Sequence, residues 1–391
     1  MTLATPPTRH GPSGSPEVAA RGLLPDPASF LERHWQREPL LIRGALPGFQ
    51  PPVSAGELAG LAMEAEVESR IVVRRDQGWE LRHGPFDAGD FDCPDPWTLL
   101  VQGVDQLLPE VAELRRLVNG PPLWRLDDIM VSYASDGGGV GPHFDRYDVF
   151  LLQGEGERIW RLGQRCDEHS ALLPHDELCL LKHFECQAEY RLQCGDVLYV
   201  PPGVAHWGIS CGESTCFSIG FRAPRLADLL SRWTDVRLEK LGDHQLFGDA
   251  GRGPARRPGE IDSSDIQRAV EQLRALLQAD SDPQWFGEVI TEGQPPDPDR
   301  EMIDALLAAL AAPDARICLS PEARLAWQAL PDGDLRVFVN GHSQRCAPAL
   351  TDTLGALCDG QTLPVSTILD QHESAGAVLE FLVVMGGLDV D

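Results

Sequence analysis

Residues 137–163, GGGVGPHFDRYDVFLLQGEGERIWRLG, and residues 195–210, GDVLYVPPGVAHWGIS, constrain the fold of this chain more than any other part. Between them they supply His143, Asp145 and His206, two imidazoles and one carboxylate in strand-like surroundings. Side chains two apart on an extended strand share a face, so His143 and Asp145 can reach one ion together. The run YDVFLL, 147–152, reads as a strand, and QGEGE, 153–157, is a turn-rich link to a second strand, RIWRL, with Arg158 at its start. Residues 196–200 alternate like a strand, Pro201-Pro202-Gly203 turns the chain, and His206 opens the strand that follows. Ligands on separate strands converge only if the sheet curls into a barrel, with the site in its mouth.

An isolated His-x-Asp is usually a solvated strand face. Here it is followed by Gly195, Pro201, Gly203 and His206 in the spacing G-x5-P-x-G-x2-H, the second motif of the cupin fold, and the pair together reads as a metal site. Two histidines and a carboxylate on one face leave coordination positions open, which suits Fe(II) with a bidentate oxo-acid and O2 better than zinc or manganese. Such an oxo-acid needs a cation for its distal carboxylate. Arg158 shares strand parity with Trp160 and Leu162, and its planar fork can hold a carboxylate through two bonds. An arginine on an exposed hairpin is the plainer reading of the same residue.

At 391 residues the chain has room for two or three domains. Its net charge of −27 works against nucleic acid as a direct partner and favours a basic protein. Residues 1–21, rich in Pro, Ser, Gly and Thr, read as a disordered tail, and no run approaches a membrane span. The ten cysteines include no C-x-x-C pair, which favours reduced thiols in a cytoplasm. Helices are expected at 26–35 and 54–63, the second capped by Ser54, and at 97–108 and 110–118, with barrel strands beginning near Trp124. Residues 223–241 and a helix capped by Asp262-Ser263-Ser264 carry apolar faces with no obvious barrel to cover, which suggests a dimer interface, packing within their own domain being the alternative. GQPPDPD, 293–299, reads as a linker. Beyond it a helix, the strands LAWQAL and LRVFVNG, and helices around Leu354 and at 375–385 are compatible with a winged helix; its five arginines are outnumbered by acids, so it is expected to serve architecture or protein contact.

The segments FLERHWQREPLLIRG (30–44), ELAGLAMEAEVESRIV (57–72), WELRHGPF (79–86), WRLDDIMVSYASDGGGVGPHFDRYDVFLLQGEGERIWRLG (124–163) and the stretch from His206 through SIGFRAP (218–224) resemble the bacterial JmjC-type ribosomal oxygenases. The likeness is dense from Phe30 to Pro224 and thinner afterwards. It implies a mixed α and β chain: a double-stranded β-helix (JmjC) domain over 22–224, a helical dimerisation segment over 225–292, and a winged-helix-like domain over 298–391. It implies a cytoplasmic homodimeric enzyme that hydroxylates the β-carbon of an arginine in large-subunit ribosomal protein L-sixteen, using Fe(II), 2-oxoglutarate and O2. By the same resemblance His143, Asp145 and His206 are the iron ligands and Arg158 holds the 2-oxoglutarate C5 carboxylate. Asp128, Tyr147 and Ser218 fall where the family holds the substrate arginine, with Asp127 able to take the place of Asp128 and Met130 on the same interior parity. The rival readings are a JmjC hydroxylase or demethylase acting on another residue or protein, and a non-enzymatic metal-binding cupin.

Overall fold

The structure, a computed structural model, describes residues 22–76, 78–278, 282–293 and 300–390; the expected tail at 1–21 and all but the first residue of the expected linker lie outside them. The chain divides into two compact units, Met1–Ala223 and Pro224–Asp391.

The first unit is built on two antiparallel sheets. The larger contains β1 (Leu40–Ile42), β2 (Ser69–Arg75), β3 (Gly78–His83), β4 (Trp97–Val101), β5 (Leu126–Ala134), β6 (Asp148–Gln153), β9 (Val197–Val200) and β11 (Ser214–Phe221), in the order β1-β9-β6-β11-β5-β4-β2-β3. The smaller contains β7 (Glu157–Arg165), β8 (Ala188–Gln193) and β10 (Val204–Cys211), in the order β10-β7-β8. Val149, Leu151, Leu198, Val200 and Cys216 of the larger sheet pack against Trp160, Leu162, Leu192 and Val204 of the smaller one, giving the barrel an apolar interior. On the outer face, Phe150, Leu152, Tyr199, Phe217 and Ile219 join Phe30 of helix α1 (Pro27–Arg33) and Leu58 of helix α2 (Ala55–Leu61) in a second core. Strands β6 and β9 are therefore buried on both faces, and the alternation expected over 196–200 is replaced by unbroken burial.

Both expected N-terminal helices are present with their caps: the Asp26 side chain accepts from Ser29 N, and Ser54 and Glu57 form a capping box. The helix expected over 97–108 is not. WTLLV is strand β4, paired with β2 and β5, and only Val104–Leu107 turns helically. A short apolar run buried on both sides has no periodicity to separate strand from helix. The barrel accordingly begins before Trp124, with the β2–β3 hairpin and β4 extending the larger sheet.

The second unit contains helices α3 (Leu226–Lys240), α4 (Ser263–Gln278), α5 (Gln284–Thr291) and α6 (Arg300–Leu310), and two three-stranded sheets. One sheet is formed by Leu325–Ala329, Leu335–Val339 and His342–Cys346, whose first two strands fall where LAWQAL and LRVFVNG were expected. Its core joins Ile317, Val337, Val339, Leu354, Leu357 and Leu382. None of the ten cysteines is in a disulfide. Among the described residues no helix is long and apolar enough to cross a membrane.

Candidate metal centre

His143 lies just before β6, in a loop rather than in a named strand, so the shared face expected of His143 and Asp145 is not produced by a strand of their own. It is produced by pairing. His143 N donates to His206 O at 3.1 Å and His206 N donates to His143 O at 2.8 Å, an antiparallel bridge that extends the edge of β10. Gly203, at φ +77°, donates its N–H to Asp145 O at 2.8 Å, so the Pro-Pro-Gly turn holds the second ligand as well as delivering the third. Close approach of this loop depends on Gly139, where an added Cβ would stand 2.2 Å from Gly208 O.

The side chains meet at one point. Asp145 Oδ2 is 3.5 Å from His206 Nε2 and 3.9 Å from His143 Nε2. One ion with bonds of about 2.1 Å can bridge donors up to about 4.2 Å apart, so these separations suit a single metal. The imidazoles are set for it. His143 Nδ1 lies 2.9 Å from Gly141 O, and His206 Nδ1 lies 3.0 Å from Val204 O. A carbonyl can only accept, so in each neutral ring the proton sits on Nδ1 and the Nε2 lone pair faces Asp145. Burial, then the neighbouring His206, lowers the proton affinity of His143; burial also pulls His206 down, but the hydrogen bond and charge of Asp145 more than reverse this. Burial raises the Asp145 carboxyl, and the histidines and the Tyr147 hydroxyl outweigh it, leaving it below the usual range. A cation at this point takes the place that a proton on His206 would otherwise fill. Among the described residues this is the one His/Cys/Asp/Glu cluster close enough to hold a metal ion.

The three residues line a cavity of about 260 Å³ whose far end is cationic. Arg158 is 5% exposed. Its Nη1 donates to Ser132 Oγ at 3.1 Å, its Nε and Nη2 each to Ser214 Oγ at 3.1 Å, and no carboxylate pairs with it among the described residues. Burial lowers its proton affinity. Thr98 Oγ1 and Trp160 Nε1, on two more lining residues, are buried with no hydrogen-bond partner among the described residues. A buried guanidinium with only hydroxyl and carbonyl partners is costly to leave without an anion, so this end of the cavity suits a carboxylate. Ser132, Ser214 and Thr98 were not foreseen, since neutral hydroxyls on strands carry no distinguishing pattern.

The opposite end holds the remaining candidates. Strand β5 is bulged: Ile129 pairs with Ile219 and Leu126 with Phe221, so Asp127 and Asp128 together face Gly220. Arg222 Nε stands 2.6 Å from Asp127 Oδ2, whereas Asp128 Oδ2 accepts from Gln102 Nε2 at 2.6 Å and Gly103 N at 3.0 Å. Burial raises the Asp128 carboxyl and the Gly103 N–H partly offsets it. Tyr147, Met130 and Ser218 line the cavity; Asp128 does not, and stands at its rim, where a Cβ on Gly220 would be 3.8 Å from its Oδ1 and 3.9 Å from the Tyr147 ring. Burial, then the charges of Asp145 and Asp128, raises the Tyr147 phenol.

A JmjC domain model matches residues 114–229. Over 287 residues, 71% of this chain and 77% of that protein, the sequence is 38% identical to the ribosomal protein uL16 3-hydroxylase of Escherichia coli (strain K12). It is 37% identical to a probable ribosomal oxygenase of Haemophilus influenzae over 207 residues, 52% of this chain and 51% of that protein. The X-ray structure of E. coli YcfD matches with a TM-score of 0.76 at 34% identity, covering 93% of this chain and 98% of that one. YcfD in complex with cobalt and 2-oxoglutarate matches with a TM-score of 0.75 at 33% identity and the same coverage.

His206→Ala removes one donor and leaves the backbone bridge intact. Calorimetric titration with Co(II) is expected to show one site in the unsubstituted chain and none in the variant, with unchanged far-ultraviolet circular dichroism; equal affinity in both would contradict the ligand set.

Proposed function

This chain belongs to the JmjC-type bacterial ribosomal oxygenases, and from that premise we propose that it hydroxylates the β-carbon of an arginine in ribosomal protein uL16, consuming 2-oxoglutarate and O2 at an Fe(II) centre. The observation that carries the reading is one cavity in which a His/Asp/His donor set stands with a buried arginine that has no carboxylate partner among the described residues. Iron, when bound, supplies the oxidising chemistry that couples breakdown of the oxo-acid to insertion of a hydroxyl group. The chain supplies placement. His143 Nε2, Asp145 and His206 Nε2 hold the metal on one side, and Arg158 takes the distal carboxylate of 2-oxoglutarate. Val149, Leu151 and Trp160 wall the space against water. Asp128 receives the substrate guanidinium at the rim, with Tyr147 and Ser218 beside the path and Asp127 already engaged by Arg222.

The overall charge of −27 supports a basic ribosomal protein, rather than nucleic acid, as the partner, and a cytoplasmic location follows from that substrate. For the second unit the reading is a helical dimerisation segment over 225–292 and a winged-helix-like domain over 298–391. Ile266, Val270 and Leu273 of α4, at helical spacing, and Leu226, Leu230 and Leu238 of α3 are exposed, as a self-association surface would require. Arg336 is paired with Asp282, and Arg345 with Asp332 and Asp334, which supports a protein-contact role over phosphate binding.

Mass spectrometry of a uL16 peptide after incubation with enzyme, Fe(II), 2-oxoglutarate and O2 is expected to find one added oxygen on one arginine. Asp128→Ala should lose that oxygen while still binding 2-oxoglutarate. No added oxygen, or oxygen on a histidine, overturns the substrate reading. By sedimentation the protein is expected to be a dimer and the Ile266→Asp/Leu273→Asp variant a monomer; a monomeric unsubstituted chain would contradict the interface.

A further inference from the structure

Asp128 is held from one side only. Both protein donors, Gln102 Nε2 at 2.6 Å and Gly103 N at 3.0 Å, go to Oδ2, while Oδ1 accepts no hydrogen bond among the described residues. Oδ1 is the oxygen turned toward the Cβ position that Gly220 leaves empty, next to the Tyr147 ring. The amide that holds Oδ2 is itself fixed: Gln102 Oε1 accepts from Arg70 Nη2 at 3.2 Å, and Gln102 N donates to Glu68 O at 2.9 Å. Rotating that amide by half a turn would set its oxygen against Asp128 and its NH2 against Arg70, two repulsive contacts in place of two hydrogen bonds. Arg70 lines the cavity, so the chain Arg70, Gln102, Asp128 runs from the cavity wall to its rim.

The nature of the middle member matters. A lysine or arginine in its place would neutralise Asp128 and compete with an incoming cation, as Arg222 does at Asp127. A neutral amide orients the carboxylate and leaves its charge for the ligand. The β5 bulge makes this necessary, because two adjacent acids opposite one glycine have no strand register of their own to separate their directions.

We propose that Gln102 is a positioning residue for the substrate cation: by holding Oδ2 of Asp128, it presents Oδ1 to the slot over Gly220, where a guanidinium docks. This rests on the reading of Asp128 as the substrate's carboxylate. Gln102 touches neither metal nor oxo-acid in this scheme, so its loss should alter substrate recognition alone.

The test uses the full chain loaded with Fe(II), a uL16 peptide carrying the target arginine, and the same peptide with neutral citrulline there. Gln102→Met keeps the size and removes the donor; it is expected to lower kcat/KM for the arginine peptide about 10-fold, the scale of one hydrogen bond to a charged group. KM for 2-oxoglutarate in the peptide-free reaction should stay unchanged and the preference for arginine over citrulline should shrink, a change that loosened packing alone would not make. Gln102→Glu, which sets a carboxylate against a carboxylate, should lose more and carries the test if the methionine variant does not fold. Asp128→Asn is the control. If it loses arginine preference while both Gln102 variants keep unsubstituted kinetics, the role of Gln102 is overturned and that of Asp128 stands. If Asp128→Asn also keeps unsubstituted kinetics, both fall.

Discussion

The two-way backbone bridge between His143 and His206 is the interaction on which the rest of the site depends. Metal donors must be brought within a few ångströms of one another, and a chain can do this locally, with ligands on one turn, or at a distance, by pairing remote segments. Here 63 positions separate the two histidines, and the backbone pairing sets their rings 4.3 Å apart between centroids. Because each imidazole also spends its Nδ1 proton on a carbonyl of its own segment, the same backbone that positions the rings selects their tautomer. Trp160 packs beside His206 at 5.9 Å and closes the wall behind it.

Strand β5 then acts as a ruler. Asp128 and Ser132 lie four residues apart on it, and Ser218 and Ser214 four residues apart on its partner β11, so the rim and the cationic end of the cavity are separated by roughly 13 Å of sheet. The opposite charges of Asp128 and Arg158 are thereby kept from neutralising one another. Arg158, bonded to Ser132 and Ser214, and Asp128, bonded to Gln102 and Gly103, are each oriented by neutral partners, so among the described residues no opposite charge is paired with either. Preorganised charges in a cavity with apolar walls act with less screening than in water, and they need no rearrangement when a ligand arrives.

Much of this was legible in the sequence, for reasons that differ by residue. His143, Asp145 and His206 stand out because few residue types bind metal and because a glycine and proline turn marks the delivery of the third. Arg158 followed from strand parity, which survives any error in strand boundaries. The bulge in β5 was invisible, since a register shift depends on which strand pairs with which; for that reason the sequence left Asp127 and Asp128 as alternatives, which in the structure differ in their partners, Arg222 at Asp127 and Gln102 with Gly103 at Asp128. Gln102, Ser132 and Ser214 gave no signal at all, being neutral groups whose charged partners lie 26 or more positions away. Strand β4 was misread as helix because burial on both faces erases the pattern that distinguishes the two.

Anaerobic addition of Fe(II) and then 2-oxoglutarate to the full chain, followed by visible absorption, tests the central claim most directly. A donor set of two imidazoles and one carboxylate that leaves adjacent positions open predicts that the oxo-acid chelates the bound metal, and a new visible band saturates at one equivalent of each. If Fe(II) binds tightly and 2-oxoglutarate leaves the spectrum unchanged, the centre is closed and the oxygenase account is wrong.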